Sequence, residues 1–548
     1  MPSLRWSELP STASLVIAAP VSASQGSWSG ALELLDRALV TQSDHAGAHV
    51  LRAAVLRRMG RFGEASGSLA DWLAQDPMDA RALAERERLV EAGVSASSMP
   101  VPDVARPPAD GQIALDVAHD DARAGLLPEA ITHLERALPT ADATVAPLIA
   151  YTLGWLHERA GRADDAARWR QDARARPIER VFPARPEEIA VLRSAIAADP
   201  TDPRAPYLLG LLLYDRRRYD EAIACWESSR RLDGTFATVH RNLGLALFNV
   251  RRRPRQARAS YERAFRADPT DGRVLYELDQ LRKRLGEPPV ERLRSLERHA
   301  GVVAGRDDLT VELITLLNEV GRHADALAVL RGRRFHPWEG GEGLVSGQWV
   351  IANRESGRAA LAAGGGTEAL AWFLAAMTYP GNLGEGKHLL TTEHELQWLA
   401  AEAALATGDR ATATEWLERA ARPGGDPGAP PAAASYWRAL AMRALGDARG
   451  ASRILRGLLL SARERAVAPV RIDYFATSLP SFLVFDDDLV RRNRIACRYL
   501  EGLALMGTRR RTEARAAFTE VTEQDVDHLE ARLRLQELNL RPGPSSST

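Results

Sequence analysis

PRAPYLLGLLLYDRRRYDEAIACWESSRRLDG, residues 203 to 234, reads as two helices joined by a tight turn. In its first half Tyr207, Leu208, Gly210, Leu211 and Tyr214 recur at three- and four-residue steps, which is one face of an α-helix. Arg216-Arg217-Arg218 supplies the turn. Tyr219, Ala222, Ile223 and Trp226 then repeat the pattern. Gly210 and Ala222 stand twelve residues apart. Two antiparallel helices that cross closely need a small side chain on each at the crossing, so the stretch predicts a helical hairpin.

The same pairing recurs along the chain as Ala53/Ala65, Ala118/Ala130, Gly154/Ala166, Gly357/Ala369, Ala401/Ala413, Ala439/Ala451 and Gly502/Ala514. Gly244/Ala257 repeats it with one residue added, and Gly210 to Gly244 is 34 residues. A helix–turn–helix unit of that length resembles the tetratricopeptide repeat (TPR). The expected fold is all-α, a right-handed solenoid of such hairpins, and arrays of this kind serve as binding scaffolds more often than as enzymes. Asp76-Pro77 and Asp268-Pro269 mark repeat ends, because proline cannot continue a helix. Trp28 to Leu39 resembles a second helix, with Ala31, Leu35 and Ala38, but no convincing first helix precedes it. The first repeat is therefore expected to be incomplete.

Composition narrows the function. Hydrophobic residues make up 45% of 548, and Lys+Arg equals Asp+Glu at 72 each. No net field draws the chain to nucleic acid or to a membrane surface. Arginine triplets at 216–218, 251–253 and 509–511 fall in turns and read as solvated turns, not a phosphate-binding edge. Only Lys283 and Lys387 are lysines, as a GC-rich genome would produce. Cys225 and Cys497 lie in different repeats and read as free thiols of a reducing compartment. No apolar run nears the ~20 residues of a membrane span. Leu15 to Ala19 is short, ends at Pro20, and makes a poor signal peptide. A cytoplasmic chain without cofactor or metal is expected.

The organisation read from these signals is a short N-terminal repeat segment (1–91), a Ser/Pro/Ala-rich linker (92–110) and a main array (111–421). A Gly/Pro-rich linker (422–431), C-terminal repeats (432–540) with an insertion near 461–490, and a tail (541–548) disordered by composition complete it.

The period stretches in three places. Ile314 takes the small slot opposite Ala326, and the steps Ile314 to Gly357 and Gly357 to Ala401 are 43 and 44 residues. The added residues include two similar runs, Phe335-His336-Pro337-Trp338-Glu339-Gly340-Gly341-Glu342-Gly343 and Tyr379-Pro380-Gly381-Asn382-Leu383-Gly384-Glu385-Gly386-Lys387-His388. Equivalent connections in a solenoid share one edge, so the two loops are expected to meet. That makes His336, Trp338, Glu339, Glu342, Asn382, Glu385 and Lys387 a candidate binding edge. The alternative is structural, with glycines supplying positive φ and glutamates capping helices. A catalytic carboxylate pair lacks a nucleophile, a phosphate loop or metal-ligand spacing to support it. From Ala451 to Gly502 the gap is 51 residues, against 22 from Ala222 to Gly244. It contains Phe485-Asp486-Asp487-Asp488, read as the N-terminal charge of a helix at Leu489.

First helices of such repeats line a concave face, here with Tyr207, Tyr214, Arg241, Asn242 and Asn249 as candidate binding residues. A carboxylate clamp of paired lysines and asparagines is excluded, since Tyr207 and Leu211 stand where Lys and Asn would be needed. A protein or peptide is the expected partner.

Several strings are more specific than the repeat. Arg241-Asn242-Leu243-Gly244, the two Gly-Glu-Gly runs and Asp473-Tyr474-Phe475-Ala476-Thr477-Ser478-Leu479-Pro480 resemble the TPR half of large bacterial proteins. Those proteins carry an N-terminal β-sandwich of domain-of-unknown-function family 5107. The resemblance covers residue 30 onward, within the TPR half alone. It implies a scaffold, and as an alternative the accessory half of a carbohydrate-active assembly whose Gly-Glu-Gly edge touches glycan or a catalytic partner.

Overall fold

Helices account for nearly all regular structure because alanine, leucine and arginine dominate the chain and glycine or aspartate sits at the breaks. The computed structural model describes residues 12–101, 110–336, 338, 340–425, 428–470 and 484–540. They form α-helices and short 3₁₀ turns, with no strand among the described residues. The chain divides into two compact units, residues 1–239 and 240–548. The tail from residue 541 and the Asp473–Pro480 string lie outside the described residues.

One expectation is corrected at the start of the chain. Helix Thr12–Ser24 precedes helix Trp28–Thr41, so the first hairpin has both of its helices. Pro20 lies inside the first of them. Its small residues Ala19 and Ala23 are buried beside Ala31, Leu35 and Ala53, and alanine packing replaces the leucine pattern that marks the other repeats.

Turns within hairpins share one requirement. The residue closing each first helix adopts a left-handed conformation, which glycine accepts without cost. Gly60, Gly125, Gly161, Gly321, Gly364, Gly408 and Gly446 fill that position with φ between 74° and 95°. Each arginine triplet fills it with one member, Arg217 and Arg252 in the middle of theirs and Arg509 at the start of its own, at φ of 59°, 52° and 64°. Turns between hairpins use aspartate instead. Asp199, Asp233 and Asp268 each accept from the N–H and hydroxyl of the threonine two residues on, at 2.6–3.0 Å. Asp79, Asp271, Asp409, Asp447 and Asp488 cap the N-termini of the helices that follow them. Asp488 thus does what its position before Leu489 predicts.

The small-residue pairs sit at the helix crossings, and their identity follows from a third residue. Where the first member is glycine, the residue four past the second member is usually aromatic and lies over the glycine. A Cβ on Gly244 would come within 2.6 Å of Tyr261, one on Gly357 within 2.5 Å of Phe373, and one on Gly502 within 2.5 Å of Phe518. On Gly210 it would strike Trp226, whose indole N–H donates to the Tyr207 carbonyl at 3.2 Å. Where the first member is alanine, as at Ala53, Ala118 and Ala439, the third residue is Leu69, Leu134 or Leu455, all buried. Gly154 is the variant: the Arg170 side chain, paired with Glu158, covers it.

The stretched period before Gly502 is partly helix. Helix Ala448–Val467 has 20 residues and helix Leu489–Gly507 has 19, against 12 to 14 in most repeats. Leu455, Leu458, Leu500 and Leu503 bury the part nearest the crossing, and on the added turns Ala462 is buried while Val467 and Val490 are exposed.

Candidate functional site

In the second unit the two Gly-Glu-Gly runs do meet. The Phe335 N–H donates to the Asn382 carbonyl at 2.8 Å. The Asn382 side chain returns the contact, donating to the carbonyls of Leu330 and Arg333 at 2.8 and 2.9 Å. Phe335 and Leu383 are buried at this seam. Gly340, Gly343 and Gly384 all have positive φ, between 76° and 79°. Glu385 reaches across and accepts from the Gly343 N–H at 2.7 Å and the Ser346 hydroxyl at 3.2 Å. It thereby neutralises the start of helix Leu344–Ala362, whose free N–H groups favour a carboxylate.

The remaining edge residues divide by exposure. Trp338 is half-buried against the hydrophobic core, and its ring lies over Gly341. Lys387 donates to the Met377 carbonyl at 2.9 Å and pairs with Glu393 at 2.6 Å. His336 is 79% exposed and approaches Asp307 at 3.2 Å. Glu342 is exposed. Glu339 lies outside the described residues. The edge therefore holds itself together with Asn382, Glu385 and Lys387, and leaves His336 and Glu342 toward water.

The five concave-face candidates also separate. Tyr207 packs on Phe236 and Tyr214 on Trp226, with ring centroids 4.7 and 5.2 Å apart. In the second unit Arg241 makes two 2.7 Å bonds to Glu277, which also accepts from the Tyr261 hydroxyl at 3.0 Å. Asn242 is buried and accepts from Arg241 at 3.1 Å.

Asn249 differs from the other four. Its side-chain N–H donates to the Val484 carbonyl at 2.9 Å, and its side-chain carbonyl accepts from the Asp486 N–H at 2.9 Å. One amide thus spans the backbone on both sides of Phe485. The Phe485 ring is 1% exposed. It meets Phe248 edge-on at 5.0 Å and Tyr261 at 5.6 Å, with the Arg284 guanidinium 5.5 Å from its centroid. Arg252 closes the site through a 2.8 Å ion pair with Asp486. Residue types alone pointed to Asn249 and Phe248. That their occupant stands some 235 positions further along the chain was not visible in any local pattern.

A second segment, helix Leu529–Leu540, also lies against first helices of this unit. Arg292, fully buried, bonds Asp279 at 2.7 Å, Asp527 at 2.6 Å, and Glu312. Arg354 reaches Glu530 at 2.6 Å, Arg358 reaches Glu537 at 2.6 Å, and Arg534 and Arg358 share Glu395. Arg534 also stacks on Trp437 at 5.0 Å. Three arginines hold Glu395 well below the ordinary carboxylate range, at about 2, against the cost of its burial.

Around Arg292 acids outnumber bases. Burial, then Asp527, pushes the Glu319 carboxyl up to about 8. Folded Glu319 therefore holds its proton over a range in which the unfolded chain has lost it. The stability this gives is complete below the ordinary carboxylate value and disappears as pH rises through about 8. Glu319→Gln, neutral at every pH, is expected to lose less of its melting temperature than wild type between pH 5.5 and 8.5. Equal losses by differential scanning calorimetry would remove Glu319 as the group responsible.

A tetratricopeptide-repeat family profile matches residues 189–229. Among solved structures, YrrB, described as a TPR protein with an unusual peptide-binding site, is 16% identical, with 42% of this chain and 90% of that one covered, at TM-score 0.23. A TPR protein from Parabacteroides merdae ATCC 43184 is 15% identical, over 54% of this chain and 98% of that one, at TM-score 0.23. MamA from Desulfovibrio magneticus RS-1 is 16% identical, over 37% and 99%, at TM-score 0.22. The chain is an all-α array of helical hairpins, of which residues 189–229 match the tetratricopeptide repeat. No helix among the described residues is long and apolar enough to cross a membrane.

Proposed function

We propose that this chain is a non-catalytic scaffold that binds a protein or peptide partner on the face of the second unit presented by helix Ala237–Asn249. The observation that carries this reading is the Asn249 amide bridging a carbonyl and an N–H of one short non-helical segment. Such a bridge reads backbone, so it accepts many sequences. The neighbouring aromatic pocket and arginines then select among them. The exposed His336 and Glu342 of the Gly-Glu-Gly edge form a second surface in this reading. Kinship with the TPR half of the proteins carrying a family 5107 region, and a bacterial cytoplasmic setting, belong to the same proposal. A glycan-contacting edge is less favoured, because Asn382, Glu385 and Lys387 already spend their polar groups within the chain.

Peptides selected on the full chain from a displayed library are the test. In a chain whose own segment is loosened by Asp486→Arg, Asn249→Ala is expected to weaken the selected peptides at least tenfold, the ~1.4 kcal/mol of a lost hydrogen-bond pair, with the helical circular dichroism unchanged. Unaltered affinity in that variant would move the partner site elsewhere.

A further inference from the structure

The Val484-Phe485-Asp486 segment sits on this face as a bound peptide would. Its backbone is held at two points by a side chain that serves no helix. Its aromatic ring fills a pocket of Phe248, Tyr261 and the Arg284 guanidinium. Its carboxylate meets Arg252 at the rim, where both side chains remain more than half exposed. These are three separable elements of recognition: backbone, anchor and charge. A segment retained for core packing alone would need the anchor only.

Resting on the scaffold reading above, we propose that the site is specific for a peptide presenting an aromatic residue followed at once by an acidic one, and that residues 484–486 are its built-in competitor. A partner gains access by displacing the chain's own copy of the motif. Two positions determine the class of ligand. The pocket under Phe485 is flat and apolar with a cation over the ring, which favours phenylalanine or tyrosine over an aliphatic side chain. Arg252 adds the acid. Backbone atoms do the rest, so residues outside this pair are free to vary.

Competition has a quantitative consequence. A tethered segment acts at an effective concentration on the order of millimolar. A free peptide of equal intrinsic affinity sees only the fraction of molecules whose site is open, and its apparent Kd rises in inverse proportion to that fraction. Weakening the internal segment must therefore tighten the external peptide. This is the opposite of what loss of a packing residue does.

The probe is a fluorescent synthetic peptide of residues 481–489, SFLVFDDDL, titrated by anisotropy into the full chain. Asp486→Arg is the primary variant, because that side chain is 53% exposed and its loss leaves the core intact. Phe485→Ala is the second. Both are expected to bind the peptide at least tenfold more tightly than wild type. Adding Asn249→Ala to either should abolish the gain. A peptide with its Phe-Asp pair changed to Leu-Asn should not bind. Arg252→Asp should reject the parent peptide and accept one carrying arginine in place of Asp486.

Equal affinity of wild type and Asp486→Arg for the peptide, or no binding to either, overturns the inference. So does a concentration-dependent dimer of Asp486→Arg without any gain in peptide affinity, since a second copy would then be the occupant. If library-selected peptides depend on Asn249 but lack the aromatic–acid pair, the scaffold reading stands and this inference fails. If they ignore Asn249 in a chain whose segment is already released by Asp486→Arg, both fail.

Discussion

Arg292→Met is expected to lower the stability of residues 240–548 by about 3–5 kcal/mol, the usual cost of removing one partner from a buried ionic cluster. The guanidinium is fully buried and serves Asp279, Glu312 and Asp527 at once. Without it three carboxylates share a poorly hydrated space with Lys283, which lies 3.7 Å from Glu312. Arg292→Lys should recover only part of the loss, since an ammonium lacks the planar fork that reaches three acceptors. The defect should shrink toward pH 5. Asp279 is already raised to about 6 by burial and by Glu312, so it protonates first and relieves the uncompensated charge. Asp527 precedes helix Leu529–Leu540, so hydrogen exchange in that helix should accelerate in the variant. A melting temperature within a degree or two of wild type at pH 7.5 would show that the cluster contributes little.

The architecture was legible because it is periodic. Twelve residues between small side chains mark most crossings from Ala53 to Ala514, although Gly244/Ala257 takes thirteen, Ile314 replaces a small residue, and the hairpin of helices Gly272–Arg284 and Pro289–Arg298 has no such pair. The meeting of the two Gly-Glu-Gly loops was legible for the same reason, as equivalent connections share an edge. Failures of legibility arise where the determinant is not periodic. Helix Thr12–Ser24 escaped notice because it carries proline within and packs with alanines, so neither leucine spacing nor a break signal marks it. Trp338 counts among the candidate binding residues on its place in a loop alone. Here Gly341 leaves room for the ring to fold down onto the core.

The occupant of the Asn249 site belongs to a different category. Asn249, Phe248 and Arg252 lie in one helix and its turn, and Phe485 and Asp486 stand far along the chain. No spacing rule joins them. What the sequence does offer is a length anomaly, 51 residues where 22 are usual, with an aromatic residue and three acids at its far end. In a repeat array excess length need not pack beside its sequence neighbours, and residues 484–486 lie against helix Ala237–Asn249. The ionic cluster at Arg292 is hidden for the same reason. Its acids come from residues 279, 312 and 527, each unremarkable in its own helix.

The pairing of glycine with an aromatic can be tested as a packing rule of this array. Gly502→Ala is expected to cost about 1–3 kcal/mol through overpacking, despite the roughly 1 kcal/mol that alanine gains over glycine within a helix. The new methyl would lie 2.5 Å from the Phe518 ring, and that ring is fully buried with no room to retreat. Phe518→Leu alone should cost about 1–2 kcal/mol, because it leaves a void above Gly502. The double variant creates the alanine–leucine combination already present at Ala53 with Leu69, Ala118 with Leu134 and Ala439 with Leu455. It should therefore recover at least ~1 kcal/mol relative to the sum of the single changes, within the range of direct-contact couplings. Denaturant titration of the four proteins gives the cycle directly. A double variant as unstable as the sum of its parts would mean that the neighbours of Phe518 on helices Leu489–Gly507 and Leu529–Leu540, not the glycine beneath it, dictate the choice of an aromatic residue at this crossing. Recovery would mean that each hairpin selects its own pair locally, so that an alanine–leucine crossing can be exchanged for a glycine–aromatic one without redesigning its neighbours.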